Sequence, residues 1–296
     1  MKYLYYPGCS LEGSAKEYNI ATQAVLKALG VELLELSDWS CCGASAAQAV
    51  SSLLSLALPA RNLAVAETVG EVTDLLVPCS ACYLNLKRVE ETVRKDPKML
   101  KQLNAVLETE HLRLTGRIRV RHLLDVLFQD IDPDQVRSLT VRPLSAMRIA
   151  PYYGCQCLRP YPVFDDPERP ISMNTLIEAV GAQVFPWSLG ATCCGASHLN
   201  THPDAGISLV TALLKAAKGA DAIVTVCPMC QLNLEGYQSK ASAVCGEDLQ
   251  TAVLYLPQLL GMAWGLSDAE VRLDLNLSTT SALRNKTANV RNEAVC

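Results

Sequence analysis

Residues Asp74–Leu86, DLLVPCSACYLNL, return in altered form at Ala222–Leu234, AIVTVCPMCQLNL. Each copy runs from a short apolar stretch into a C-x2-C pair and then into a Leu-Asn-Leu triplet. Leu75–Val77 reads as a buried strand, brief and bounded by Pro78, and helices begin near Ser80 and Met229. A strand that delivers two cysteines to the start of a helix is the unit from which the fold is read.

Working outward, the flanks repeat as well. YYPGC at Tyr5–Cys9 is answered by YYGC at Tyr152–Cys155, and ALGVELLEL at Ala28–Leu36 by AVGAQVFPW at Ala179–Trp187. SCCGAS at Ser40–Ser45 is answered by TCCGAS at Thr192–Ser197, and VRHLLDVL at Val120–Leu127 by VLYLPQLLG at Val253–Gly261. Five landmarks in one order establish an internal duplication. Tyr3–Tyr6, Val31–Leu36 and Leu75–Val77 read as strands, with helical spacing in Lys16–Leu29 and Leu53–Val69 between them. Strands alternating with helices predict α/β architecture: two pseudo-symmetric Rossmann-like domains with parallel sheets. The expected boundaries are 1–140, 146–266 and a polar C-terminal tail at 267–296, mobile or partner-bound. Arg137–Arg148 reads as the linker, and Lys95–Thr115 as an extra helical pair in the first half.

In this arrangement each repeated cysteine follows the carboxyl end of a strand, where open parallel sheets bind ligands. The first half reads C-x31-CC-x36-C-x2-C through Cys9, Cys41, Cys42, Cys79 and Cys82. The second reads C-x37-CC-x32-C-x2-C through Cys155, Cys193, Cys194, Cys227 and Cys230. The adjacent pairs are poor disulfide partners, because neighbouring Cα atoms lie about 3.8 Å apart and disulfides span about 4.4–6.8 Å. Structural zinc and ordinary iron–sulfur clusters take four protein ligands. Five thiols leave one over, which points to a larger or irregular cluster or to one thiol kept for chemistry. Gly43 and Gly195 let the backbone turn sharply beside each pair, and the helix starts at Ser80 and Met229 aim N–H groups at an anionic centre.

These motifs carry a family resemblance. Over about residues 1–265 the chain resembles the duplicated CCG-domain (cysteine-rich domain) proteins, in particular the B subunit of heterodisulfide reductase and its bacterial-type homologues. The resemblance implies that each five-cysteine set holds a noncubane iron–sulfur cluster of four-iron type, two in all, with zinc the alternative occupant of one half. It implies an oxidoreductase, the catalytic subunit of a multi-subunit complex, in which two one-electron centres reduce a disulfide held between them, or run the reverse oxidation on a thiol or carrier-bound sulfur. Its implied partners are a ferredoxin-like C subunit and a flavin-containing A subunit. The chain itself carries no ferredoxin C-x2-C-x2-C-x3-C-P run and no G-x-G-x-x-G loop, so neither flavin nor NAD is expected on it. The alternative is a CCG-type electron-transfer subunit of a succinate-, lactate- or glycolate-dehydrogenase-like complex passing electrons toward quinone.

The bulk properties agree. Of 296 residues half are hydrophobic and only 19% charged, which suits a subunit that buries surface against partners. A net charge of −4 without a Lys/Arg stripe argues against a nucleic-acid binder. Arg113–Arg121, the densest basic run, reads as a solvated connector. The start at Met1–Tyr6 has no apolar signal region, and Ala252–Leu266 is too short to span a bilayer. A cytoplasmic protein, membrane-associated at most through partners, is expected, and thirteen cysteines in such a compartment indicate metal or redox chemistry. Cys157, Cys245 and Cys296 fall outside the repeat and read as spare thiols. His198, directly after the second CCGAS, is the tentative proton donor to a departing thiolate, where the first half has Ala46. Asn85 and Asn233, three residues past each C-x2-C, are candidates to hold the cysteine loops by hydrogen bonds.

Overall fold

The computed structural model describes residues 1–199, 201–278 and 283. Its strands are β1 (Lys2–Tyr5), β2 (Glu32–Glu35), β3 (Asp74–Val77), β4 (Arg119–His122), β5 (Arg148–Tyr152), β6 (Gln183–Val184), β7 (Ala222–Thr225) and β8 (Ala252–Tyr255). They form two four-stranded parallel sheets of equivalent order, β2-β1-β3-β4 and β6-β5-β7-β8. Leu4 is in register with Leu75 in the first, and Ala150 with Ile223 in the second. The result is two α/β Rossmann-like units, as the repeat predicts, each with its order reversing between the first and third strands of the unit. That reversal opens the crevice at the strand carboxyl ends.

The local sequence explains the elements. In the helix Lys16–Ala28 the buried residues Tyr18, Ala21, Thr22, Val25 and Leu26 follow the spacing of one helical face. Strands β7 and β8 are apolar and buried throughout, because both faces of a parallel sheet are covered. Alternate residues of β7 serve different cores. Ala222 and Val224 join a large core that also contains Leu4, Val25 and Leu76 of the first half, while Ile223 packs with Tyr152, Leu214 and Leu234 in a core of the second half alone.

The two halves therefore share a core. Lys16–Ala28 packs on Leu256–Ala263, and Leu123–Gln129 and Pro133–Ser138 pack on Ser172–Ala179. The Tyr18 ring from the first half stacks on Tyr255 at the end of β8, and the Phe164 ring from the second half lies parallel to His122 at the end of β4.

Three expectations are corrected. Lys95–Thr115 is not a helical pair: one helix, Pro97–Leu107, passes into the 3₁₀ turn Glu108–Glu110 and stops at His111, which takes a left-handed φ of 58°. The run Arg113–Arg121 is not simply a solvated connector. It ends in β4, where the Arg121 guanidinium is buried against Asp125 and reaches Asp130 at 3.0 Å. The start of the tail is tied down, because its polar side chains satisfy buried partners. The Asn276 amide donates to Val253 O at 2.9 Å, and the Ser278 hydroxyl donates to a Glu235 carboxylate oxygen at 2.8 Å.

Candidate metal centre

Each unit assembles its cysteines from three strand ends. In the first, Cys9 opens the turn after β1, Cys41 and Cys42 lie in the loop after β2, and Cys79 caps the helix Ser80–Lys95 after β3. In the second, Cys155 follows β5, Cys193 and Cys194 follow β6, and Cys227 caps the helix Pro228–Gly236. All ten are free thiols. Cys82 and Cys230 sit on the first turns of those helices, and a cysteine at the N-cap leaves the helix N–H groups facing the thiol cluster.

The thiols meet in pairs. Cys42 Sγ lies 3.3 Å from Cys82 Sγ, Cys194 Sγ 3.6 Å from Cys230 Sγ, and Cys9 Sγ 3.7 Å from Cys41 Sγ. Two thiolates on one tetrahedral metal with bonds near 2.3 Å lie about 3.8 Å apart, so these separations fit sulfur atoms that share metal ligation. Among the described residues no three Cys, His, Asp or Glu side chains gather as the ligands of one ion would. Soft sulfur donors in this number suit iron–sulfur ligation, with one thiol per unit beyond the four of an ordinary cluster.

Glycines clear the space around the sulfurs. Gly8 and Gly154 have φ of 73° and 68°, and a Cβ on them would stand 3.0 Å from Cys82 Sγ and 3.1 Å from Cys230 Sγ. Gly43 and Gly195 also lie in the left-handed region, and their N–H groups turn back to donate to Cys41 Sγ at 3.4 Å and Cys193 Sγ at 3.3 Å.

Residues away from the cysteine motif fix the CCG loops. The Tyr6 hydroxyl donates to Ser40 O at 2.7 Å, and the Tyr152 hydroxyl donates to Thr192 O at 2.8 Å, in each case the residue before the vicinal pair. The Asn85 amide donates to Cys42 O and Ala44 O at 3.3 and 3.0 Å, and the Asn233 amide donates to Cys194 O at 2.6 Å. The asparagines were candidates for this role from their matched positions, beside a plain helix-surface reading. The tyrosine hydroxyls were not, although the repeated Tyr-Tyr pairs were a signal that could have found them.

The thiols are electrically uneven. Contacts from the Cys41 and Cys82 thiols hold Cys42 down to about 3, while the contact with Cys42 pushes Cys82 up. In the second unit Cys155 holds Cys193 down to about 6, and Cys230 lowers both Cys194 and Cys227. Thiolate character, the form in which cysteine binds metal, thus falls on Cys42 in the first set, whose neighbour Cys41 is pushed up by the contact with Cys42, and on both Cys193 and Cys194 in the second.

The family model of the CCG cysteine-rich domain matches twice, at residues 3–87 and 149–235. The chain belongs to this family. It is 34% identical over 286 residues to the 8-methylmenaquinol:fumarate reductase membrane anchor subunit of Wolinella succinogenes, covering 95% of this chain and 99% of that one. It is 28% identical to the B subunit of the ferredoxin/F(420)H(2)-dependent CoB-CoM heterodisulfide reductase of Methanosarcina acetivorans, with 92% of each chain covered. The same identity relates it to a heterodisulfide reductase B-subunit-like protein of Archaeoglobus profundus, over 92% of this chain and 93% of that one. A solved structure of a hypothetical protein from Helicobacter pylori has the same fold, with a TM-score of 0.75 and 18% identity over 95% of this chain. The chain spans about half of that structure, 52% of its length.

The two CCG units are not equal. Cys9 and Cys41 are exposed, whereas Cys155 and Cys193 are half-covered. His198 lies in the 3₁₀ turn after Gly195, exposed, with its ring 6.5 Å from that of His202, and its charge favours the Cys193 thiolate. Ala46 gives the first CCG unit no counterpart. Cys157 is fully buried and donates to Tyr153 O at 3.2 Å, Cys245 is half-buried with its thiol toward Ser242 O and Glu247 O, and Cys296 lies outside the described residues. Among the described residues no helix is long and apolar enough to cross a membrane.

Proposed function

We propose that this chain is the B-type catalytic subunit of a heterodisulfide-reductase-like complex, acting on a disulfide or its thiols. The observation that carries this reading is the pair of complete five-thiol sets at equivalent strand ends of two units that share one core. Cys9, Cys41, Cys42, Cys79 and Cys82 would hold one noncubane iron–sulfur cluster, and Cys155, Cys193, Cys194, Cys227 and Cys230 the other. Each cluster, when bound, supplies one-electron chemistry, and a disulfide takes two electrons. The protein's part is to bury Cys42, Cys79 and Cys82, with Cys194, Cys227 and Cys230, and to leave Cys9, Cys41, Cys155 and Cys193 on the accessible side. His198 stands near Cys193 on that side, as the proton donor to a departing thiolate. Electrons come through a ferredoxin-like C subunit fed by a flavin-containing A subunit, and any membrane association is through partners. The functional units are 1–140 and 146–266, with 267–296 appended.

A second reading has an observation of its own. The 34% identity to a membrane anchor subunit of a quinol:fumarate reductase exceeds the 28% to the heterodisulfide reductase subunits, which favours electron transfer between a dehydrogenase-like flavoprotein and quinone. Anaerobic purification with iron, sulfide and zinc analysis, followed by EPR with candidate thiols and disulfides, separates the two. Iron and sulfide with thiol-responsive spectra support the first reading, and iron with spectra indifferent to every thiol supports the second. Zinc without iron overturns both.

A further inference from the structure

The two C-x2-C loops abut across the interface between the halves, and the hydrogen bonds there run in one direction. The Leu124 N–H donates to His122 Nδ1 at 3.2 Å, so Nδ1 carries the lone pair and the neutral ring holds its hydrogen on Nε2. Nε2 lies 3.2 Å from Ser80 Oγ and donates to it. The Ser80 hydroxyl then spends its single hydrogen on Val226 O, 3.1 Å away in the other half. The Tyr18 hydroxyl lies between Pro78 O at 3.0 Å and Val226 O at 3.2 Å. One hydrogen each satisfies both carbonyls: Tyr18 to Pro78, Ser80 to Val226.

The network is sealed, with Tyr18, Ser80, His122, Cys79 and Cys227 all buried. It is also not reciprocal. Val226 precedes Cys227 as Pro78 precedes Cys79, but the residue matching Ser80 is Pro228, which has neither hydroxyl nor N–H. The first half supplies both donors and the second supplies an acceptor.

We propose that Ser80, although part of the first cysteine loop, is a positioning residue for the second cysteine set. Its hydroxyl fixes the Val226–Cys227 peptide and so orients Cys227, and His122 holds the hydroxyl on that aim. The hydroxyl acts through the Val226–Cys227 peptide, which its bond to Val226 O fixes and polarises, and polarised N–H groups around a cluster's sulfur ligands raise its reduction potential. The inference rests on the iron–sulfur reading above. Under that reading the two centres are unequal, because among the described residues the carbonyl before Cys227 takes a serine hydroxyl from the other half and the carbonyl before Cys79 does not.

The test is a potentiometric titration followed by EPR on anaerobically purified, iron-loaded protein, comparing wild type with Ser80→Ala, Ser80→Thr and His122→Phe. A Cys42→Ser background that disables the first set identifies which signal belongs to the second. Ser80→Ala should keep its iron and lower the potential of the second centre alone. Ser80→Thr should restore it, and His122→Phe should shift it the same way by less. Full iron with unchanged potentials, an equal shift at both centres, or no recovery in Ser80→Thr overturns the proposal. If Ser80→Ala fails to fold, His122→Phe decides by the same criterion. A wild-type protein without iron overturns the cluster reading and this inference with it, whereas loaded iron with no selective shift overturns this inference alone.

Discussion

The ring of Tyr18 lies flat on the ring of Tyr255, with centroids 4.1 Å apart and planes within 3° of parallel. Tyr18 comes from the first CCG unit and Tyr255 ends the last strand of the second, so the stack is a clasp between halves. Tyr18→Phe keeps the clasp but leaves Pro78 O without its donor, and should cost about 1–3 kcal/mol. Tyr18→Ala removes a fully buried ring and should cost about 3–5 kcal/mol. Chemical denaturation of both variants checks the order. Equal losses would mean that the hydroxyl, not the stack, holds the halves together.

Tyr6 and Tyr152 pin their CCG loops through one hydroxyl each. Tyr6→Phe should loosen the first loop only, and Tyr152→Phe the second only. Iron analysis after anaerobic gel filtration should therefore give partial loss in each single variant, down to about half, and further loss in the double. Identical spectra in the two single variants would contradict loop-specific anchoring.

Gly8→Ala and Gly154→Ala place a methyl against Cys82 and Cys230 in a backbone conformation that L-residues avoid. The left-handed conformation alone costs roughly 1–2 kcal/mol. The sulfur atoms must also move, so each variant should lose metal from its own set before it loses fold. Circular dichroism beside iron content measures the two separately.

Burial holds His122 down to about 3, far below the 6.5 of an exposed histidine. Between those values the unfolded chain takes up a proton that the folded chain refuses. The stability His122 contributes is thus present above about 6.5 and lost as pH falls toward 3. From pH 7 to pH 5 this amounts to about 2 kcal/mol. Thermal unfolding should lose that much stability over this range, and His122→Phe should have a shallower pH dependence.

The duplication, the parallel sheets and the placement of ten cysteines after strand ends could be read from the chain, because each depends on short-range pattern. Strands β1, β2 and β3 were legible within one or two residues for the same reason. Strand β4 was hidden. Arg119 and Arg121 read as part of a solvated connector, and only the folded protein brings Asp125 and Asp130 to the buried Arg121. The tail was hidden too, since Asn276 and Ser278 look like solvated residues until Gln258 and Glu235 are seen to need them. Ser80 could not be weighed at all. Its partner, Val226 O, is 146 residues away and belongs to the other half.

The reciprocal ring exchange also speaks to ancestry. Tyr18 and Phe164 each lie nine residues past the first cysteine of their own unit, and each covers the last residue of the other unit's fourth strand, Tyr255 or His122. Matched contacts of this kind are what an isologous dimer makes. A single-unit ancestor pairing with its own copy would already have had them, bound to change both sides at once. Joining the copies in one chain released that constraint: serine stands at 80 and proline at 228, alanine at 46 and histidine at 198.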